Sequence, residues 1–304
     1  MQRFELTILG CGSALPTNKR NPSAQLLNVA ERFFLIDCGE GTQVQLRKYK
    51  AGFSRIDHIF ISHLHGDHFF GLIGLLQSFH LLGRKKSLGI YGPPQLKEII
   101  QLLNIATGTA LQYPVEFIST DPQNTVLLFE DNKVEVISFP LRHKLDCTGF
   151  LFREKPLPRK IIKEKLKQFN ISTEQIHRLR AGFDAEDENG NMVPASELTL
   201  PGPVSRSYAY CSDTAYDEKI AEIIRDVSLL YHESTFLEDM QERAKSTLHS
   251  TAKEAAQIAK LANAQQLILG HFSSRYDDET LFLEEALPVF SNTLLASDGK
   301  VFTL

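Results

Sequence analysis

The chain has 304 residues, 42% hydrophobic and 23% charged, with 33 Lys or Arg against 37 Asp or Glu for a formal charge of −4. This composition excludes a disordered chain, and the modest negative charge excludes a protein that coats nucleic acid indiscriminately. Cys11, Cys38, Cys147 and Cys211 include no CxxC pair, which argues against a cysteine zinc knuckle or a disulfide framework and leaves reduced thiols.

The amino terminus enters a strand-like alternation without a basic region, an apolar stretch or a small-residue cleavage site, so a cytoplasmic protein is expected. Strands are predicted at Phe4–Leu9, Arg32–Ile36 and His58–Ile61, with a helix over Thr42–Lys48. The next helix, Phe70–Leu82, contains the longest apolar run, but Gln77, Ser78 and His80 interrupt it and it is too short to span a bilayer. Gln95–Leu103 reads as a helix and Lys133–Phe139 as a strand. Strands at Ser207–Cys211, Ser228–Tyr231 and Gln266–Leu269 then alternate with helices at Asp217–Arg225 and Ser250–Asn263. Strands interleaved with helices from end to end predict a layered α/β architecture, one domain over residues 1–304.

The pattern breaks between Arg153 and Pro203, which reads as an insertion projecting from the main body. Between Phe150 and Arg180, nine Lys or Arg stand against three Glu, a local +6 that leaves −10 for the remainder. A short helix is predicted around Ile161–Phe169, and Asp184–Gly190 reads as an exposed acidic turn.

The strongest signal is Ser62-His63-Leu64-His65-Gly66-Asp67-His68, where an apolar strand runs into three histidines and an aspartate. Neutral imidazole and carboxylate are good zinc ligands; a tight loop at a strand end points His63 and His65 at one ion and leaves Asp67 and His68 for a second. His143, Asp213 and His271 each follow an apolar run, where a rigid strand presents them to a shared cleft. Taken singly, each of these three reads as a turn residue or helix cap.

Together these seven positions resemble the metallo-β-lactamase superfamily. More narrowly, Leu9–Pro16, Asp37–Gln43, Gly149-Phe150 after His143, His232–Phe236, His249–Ala252 and His271–Tyr276 resemble the ribonuclease Z family. The resemblance implies a four-layer αβ/βα sandwich with a projecting basic arm, residues 153–203, inserted in its second half. It implies two zinc ions per subunit: one held by His63, His65 and His143, the other by Asp67, His68 and His271, with Asp213 bridging them. Manganese also suits such donors. Asp37, by the same analogy, orients ligand histidines through their free ring nitrogens.

The implied reaction is removal of the 3′ trailer of precursor tRNA, leaving a 3′ hydroxyl on the tRNA and a 5′ phosphate on the trailer. Two metals clamp both oxygens of such an in-line displacement. Asp67 is then expected to accept the proton of the attacking water. His249, held by Glu233, serves as general acid or phosphate ligand, although on residues alone it reads as the position before a helix cap in Ser250–Glu254. Arg275 is a candidate phosphate ligand or a plain surface arginine. Lys160, Lys163, Lys165 and Lys167 are expected to grip tRNA through the arm, with a solvated charged helix as the alternative. Lys19 and Arg20 fall in a loop read as Pro16-Thr-Asn-Lys-Arg-Asn21, with asparagine where the family has a first lysine. The arm likewise lacks the family's Gly-Pro segment at Phe169–Ile176. A homodimer is implied, with no membrane and no other protein partner. The competing function is a general phosphodiesterase or small-ester hydrolase of the same fold.

Overall fold

A computed structural model of the chain describes residues 2–304. In the first sheet, β1 (Phe4–Gly10), β2 (Ala24–Val29), β3 (Arg32–Cys38), β4 (Ile56–Phe60), β5 (Leu88–Gly92) and β6 (Val115–Ser119) lie side by side in that order. The first three are antiparallel neighbours, whereas β3 to β6 run parallel. Parallel neighbours need crossovers, and α1 (Thr42–Lys48), α2 (Gly66–Leu81) and α3 (Gln95–Ala106) lie in these connections. Alternation along β3 sorts its side chains. Phe33 and Leu35 pack with Leu46, Leu72, Leu76 and Ile100 of the helices, and Phe34 and Ile36 join the core on the opposite face. Helix α2 starts at Gly66 rather than Phe70, because Gly66, Asp67 and His68 interrupt the apolar periodicity while occupying its first turn.

Strands β7 (Val126–Glu130), β8 (Val134–Leu141) and β9 (Cys147–Glu154) open a second sheet. Glu154–Ser205 then forms a compact unit of its own. It holds β10 (Lys160–Ile161), α4 (Lys163–Gln168), α5 (Ile176–Arg180), β11 (Ala185–Glu186), β12 (Met192–Val193), α6 (Ala195–Leu198) and β13 (Thr199–Leu200). Its core is small: Ile171, Leu179, Ala185, Val193, Ala195 and Leu198, with Leu166 and Phe169 packed against them. The acidic stretch is a β11–β12 hairpin, closed by Asp187 Oδ1 accepting from the backbone of Asn189 and Asn191 at 2.8 Å each. Gln175 extends that hairpin, its amide pairing with both the N–H and the carbonyl of Glu186 at 2.8 Å. This unit carries eight Lys or Arg and eight Asp or Glu, so its basic first half is balanced by its acidic second half.

The chain resumes with β14 (Ser207–Cys211), α7 (Lys219–Ile223), β15 (Leu229–Glu233), α8 (Gln241–Thr247), α9 (Ala252–Leu261), β16 (Leu267–Gly270), α10 (Thr280–Ala286) and β17 (Thr293–Leu295). The second sheet runs β17-β16-β15-β14-β9-β8-β7, with β14 to β17 parallel. The last strand, β18 (Val301–Thr303), returns to pair with β1. Aromatic side chains fill the space between the sheets, with Phe34 against Phe152 at 5.4 Å and Phe60 against Phe150 at 5.3 Å. Ala255, Ala256 and Ile258 of α9 and Ile220 of α7 continue this core on the helical side of the second sheet. The result is the expected four-layer sandwich. Strand β9, buried along nearly its whole length, was not among the predicted strands. The four cysteines are buried free thiols.

Helix α9 begins with a capping box. Thr251 Oγ1 accepts from Glu254 N at 3.2 Å, and the Glu254 carboxylate accepts from Thr251 N at 2.9 Å. Thr251→Ala is expected to cost about 1 kcal/mol, with Thr251→Ser retaining most of the stability. The shift in urea midpoint checks this, and equal shifts for both variants would refute the cap.

Candidate metal centre

Four of the seven candidate ligands sit just beyond the carboxyl end of a strand: His63 after β4, His143 after β8, Asp213 after β14 and His271 after β16. Asp67 and His68 extend this rim as the first turn of α2. His63 Nε2 lies 3.0 Å from His65 Nδ1, which is 3.2 Å from His143 Nε2. Asp213 Oδ2 completes that group, 3.6 Å from His63 and 3.8 Å from His143. In the second group Asp213 Oδ1 lies 3.3 Å from His68 Nε2 and 3.2 Å from His271 Nε2, and Asp67 Oδ2 lies 3.5 and 3.4 Å from the same atoms. The two histidine nitrogens are 3.3 Å apart.

Four ligands about 2.0–2.1 Å from a tetrahedral zinc stand about 3.3–3.4 Å from one another. The second group matches those edges closely, and the first scatters about them, from 3.0 to 3.8 Å. Asp213 Oδ1 is also buried without a hydrogen-bond donor. The donor chemistry, the spacing and this orphaned oxygen all suit divalent cations, with one oxygen of Asp213 turned to each group.

Electrostatics agree. Burial holds His63, His65 and His143 below the usual imidazole range, so their ring nitrogens are neutral and able to ligate. Burial also opposes charge on His68, but Asp213, Asp67 and Asp37 outweigh it and raise His68 well above that range. Positive charge is drawn to this point.

Hydrogen bonds fix these candidate ligands from behind. Asp37, fully buried, accepts from His68 Nδ1 at 2.7 Å, Tyr210 Oη at 2.7 Å, Ser62 Oγ at 2.9 Å and Ser62 N at 2.8 Å. The Ser62 hydroxyl also lies 3.0 Å from His63 Nδ1, which connects the carboxylate to a histidine of the other group. Ser62, Tyr210 and Ser212, 2.9 Å from Ser62, were missed in the sequence; only Ser62's position next to His63 offered a clue. His143 Nδ1 donates to the Leu248 carbonyl at 3.0 Å, and His271 Nδ1 faces Thr235 Oγ1 at 2.9 Å. Asp67 Oδ2 accepts from Ala14 N at 2.7 Å.

Glu233 is fully buried and accepts from the backbones of Thr214, Thr235 and Ser250 at 2.9–3.1 Å. Its Oε1 holds His249 Nδ1 at 2.8 Å. Burial disfavours the imidazolium, but Glu233 and Asp213 outweigh it and push His249 up to about 9. His249 lines a cavity of about 490 Å³ together with His65, Asp67 and Asp213. Its helix-cap alternative passes to Thr251.

The remaining candidates diverge. Arg20 is corrected: its side chain is buried, donating to the Tyr276 carbonyl at 2.8 Å and facing Glu279 at 3.2 Å, so it braces its loop instead of reaching for substrate. Lys19 is exposed beside Asp277 at 3.3 Å, and Arg275 is exposed on the loop after His271. Lys160, Lys163 and Lys167 are exposed and Lys165 is half-buried, its ammonium 5.9 Å from the Phe169 ring. His58 meets Tyr91 Oη at 3.2 Å, and His232 is buried with Nδ1 on the Glu233 carbonyl, both structural roles. Among the described residues no helix is long and apolar enough to cross a membrane.

A family model described as anti-Pycsar protein Apyc1 matches residues 4–131. A ribonuclease Z of Bacteroides thetaiotaomicron is 45% identical over 304 residues, covering 100% of this chain and 96% of its own. The crystal structure of human tRNase Z, short form, superposes with a TM-score of 0.70 at 29% identity over 98% of each chain. The metallo-β-lactamase fold protein YhfI of Bacillus subtilis superposes with a TM-score of 0.71 at 20% identity over 100% of each chain, which speaks to fold alone.

The Asp37–Ser62 pairing makes a checkable demand. Asp37→Ala is expected to weaken metal affinity by roughly 10- to 100-fold, and Ser62→Ala to weaken it in the same direction. Competition against a chelator with a metal-sensitive dye reads this directly, and unchanged affinity in both variants would remove the orienting role.

Proposed function

The chain belongs to the ribonuclease Z family, and we propose that its histidine–carboxylate cavity cleaves the 3′ trailer from precursor tRNA with two zinc ions bound. The observation that carries this reading is the pair of donor groups sharing Asp213 on the cavity that His249 and Asp67 line. His63, His65 and His143 would hold one ion and Asp67, His68 and His271 the other. Bound there, the ions supply an activated water near neutral pH and positive charge for the phosphoryl oxygens.

The chain's own groups do the rest. Burial disfavours the Asp67 carboxylate, but His68 and His271 keep it ionised, the state in which it accepts a proton from the attacking water. With Nδ1 fixed on Glu233, His249 presents its other nitrogen as donor to the departing oxygen, which becomes the 3′ hydroxyl of the tRNA. The trailer leaves with a 5′ phosphate. The exposed lysines of Glu154–Ser205 grip the tRNA body, and Lys19 and Arg275 lie on the loops after β1 and β16 as further phosphate contacts. We further propose a homodimer in which one subunit grips while the other cuts, an arrangement that family membership supports.

Three outcomes are expected. Cleavage of a 3′-extended precursor tRNA is abolished by chelator and by Asp67→Ala, read by mapping the product ends on a gel; intact precursor with metal-replete protein would sink the assignment. His249→Ala lowers kcat by about 10²- to 10⁴-fold with a small effect on KM, and a change confined to KM would make it a binding residue only. Mixing Asp67→Ala subunits with subunits lacking residues 154–205 restores cleavage that neither performs alone; no recovery after subunit exchange contradicts the division of labour.

A further inference from the structure

One wall of the cavity is ill suited to a phosphodiester. Phe70, the fifth residue of α2, leaves 65% of its surface exposed, yet its ring is fixed from behind. It lies over Gly66, where a Cβ would collide with the ring, and packs edge-on against the buried Phe69 at 5.0 Å. Leu15, 65% exposed, and Pro16 line the same cavity, and Glu40 adds a negative charge. Apolar surface beside a carboxylate repels phosphate, whereas the flat face of an unpaired base is attracted to an exposed aromatic ring. Exposing a large ring in place costs hydrophobic free energy that a stacked base would recover. The glycine between two ligands of the motif thus has a second use: it admits the ring.

Given the reading of the cavity as an RNA-cleaving site, we propose that Phe70 stacks on the unpaired base of a nucleotide flanking the scissile phosphate, with Leu15 and Pro16 as added apolar contact. The phosphodiester lies at the histidine–carboxylate floor and the base against the Phe70 wall. Phe70 therefore favours a phosphodiester flanked by an unpaired base, because a paired or missing base forfeits the stack.

The test uses three precursor tRNAs: one unmodified, one with an abasic ribose on the 5′ side of the scissile phosphate, one with it on the 3′ side. Phe70→Ala is expected to lower kcat/KM on the unmodified precursor roughly 5- to 150-fold, the range for loss of one stacked base. Wild type should lose a similar factor on one abasic precursor, on which Phe70→Ala costs nothing more, and Phe70→Trp should restore cleavage of the unmodified one. Losses that multiply on both abasic precursors, or an unaffected Phe70→Ala, would overturn the proposal. Metal content is measured for each variant; should Phe70→Ala lose metal, the wild-type comparison still decides. A wild-type protein that leaves the unmodified precursor uncut overturns both readings, and one that cuts all three equally overturns this one alone.

Discussion

Four carboxylates, Asp37, Asp67, Asp213 and Glu233, converge on one rim of the sandwich, and three of them are at most 2% exposed. Each ion pair they make runs to a histidine. Isolated carboxylates in such a place are costly, and neutral imidazoles do not offset them. The cluster is therefore incomplete as protein alone and requires positive charge, either as protons on histidines or as bound cations. Two divalent ions would offset four carboxylates, the loading proposed for the active enzyme.

The scaffold holds this charge with unfavourable backbone. Ala14, Asp37, Leu248 and His271 all adopt left-handed conformations without being glycine. Each such residue costs about 1–2 kcal/mol relative to the right-handed region. Each also touches the site: Ala14 through its N–H on Asp67, Leu248 through its carbonyl on His143, Asp37 and His271 through their side chains. The surrounding core over-determines these conformations, as the cross-sheet aromatic contacts and the pairing of Gly12 with Phe272 indicate.

The donor cluster was legible in the sequence because its chemistry is concentrated: three histidines and an aspartate fall within six residues. The strands that carry the candidate ligands were legible as short apolar runs ending in turn residues, even where, as in β14 and β16, both faces are buried. What escaped were features fixed only by tertiary contact. Ser62 is one more small polar residue until the fold sets Asp37 against it, and Arg20 looks like a substrate contact until Glu279 and the Tyr276 carbonyl enclose it. Phe70 passed as an ordinary apolar helix position, since periodicity cannot report which side of a helix faces a cavity. The local charge of +6 was real, but the segment that folds as a unit extends into the acidic hairpin and is balanced.

The two donor groups draw on both halves of the sandwich: His63, His65, Asp67 and His68 follow a strand of the first sheet, and His143, Asp213 and His271 follow strands of the second. The site consequently cannot assemble before the halves have docked, and no fragment holding a single sheet contains a complete set. Whatever cation binds is a rivet as well as a reagent, favouring the closed sandwich by mass action over any form in which the sheets have parted. Metal supply and stability of the fold are thereby coupled, so the metal-loaded form resists unfolding better than the metal-free one.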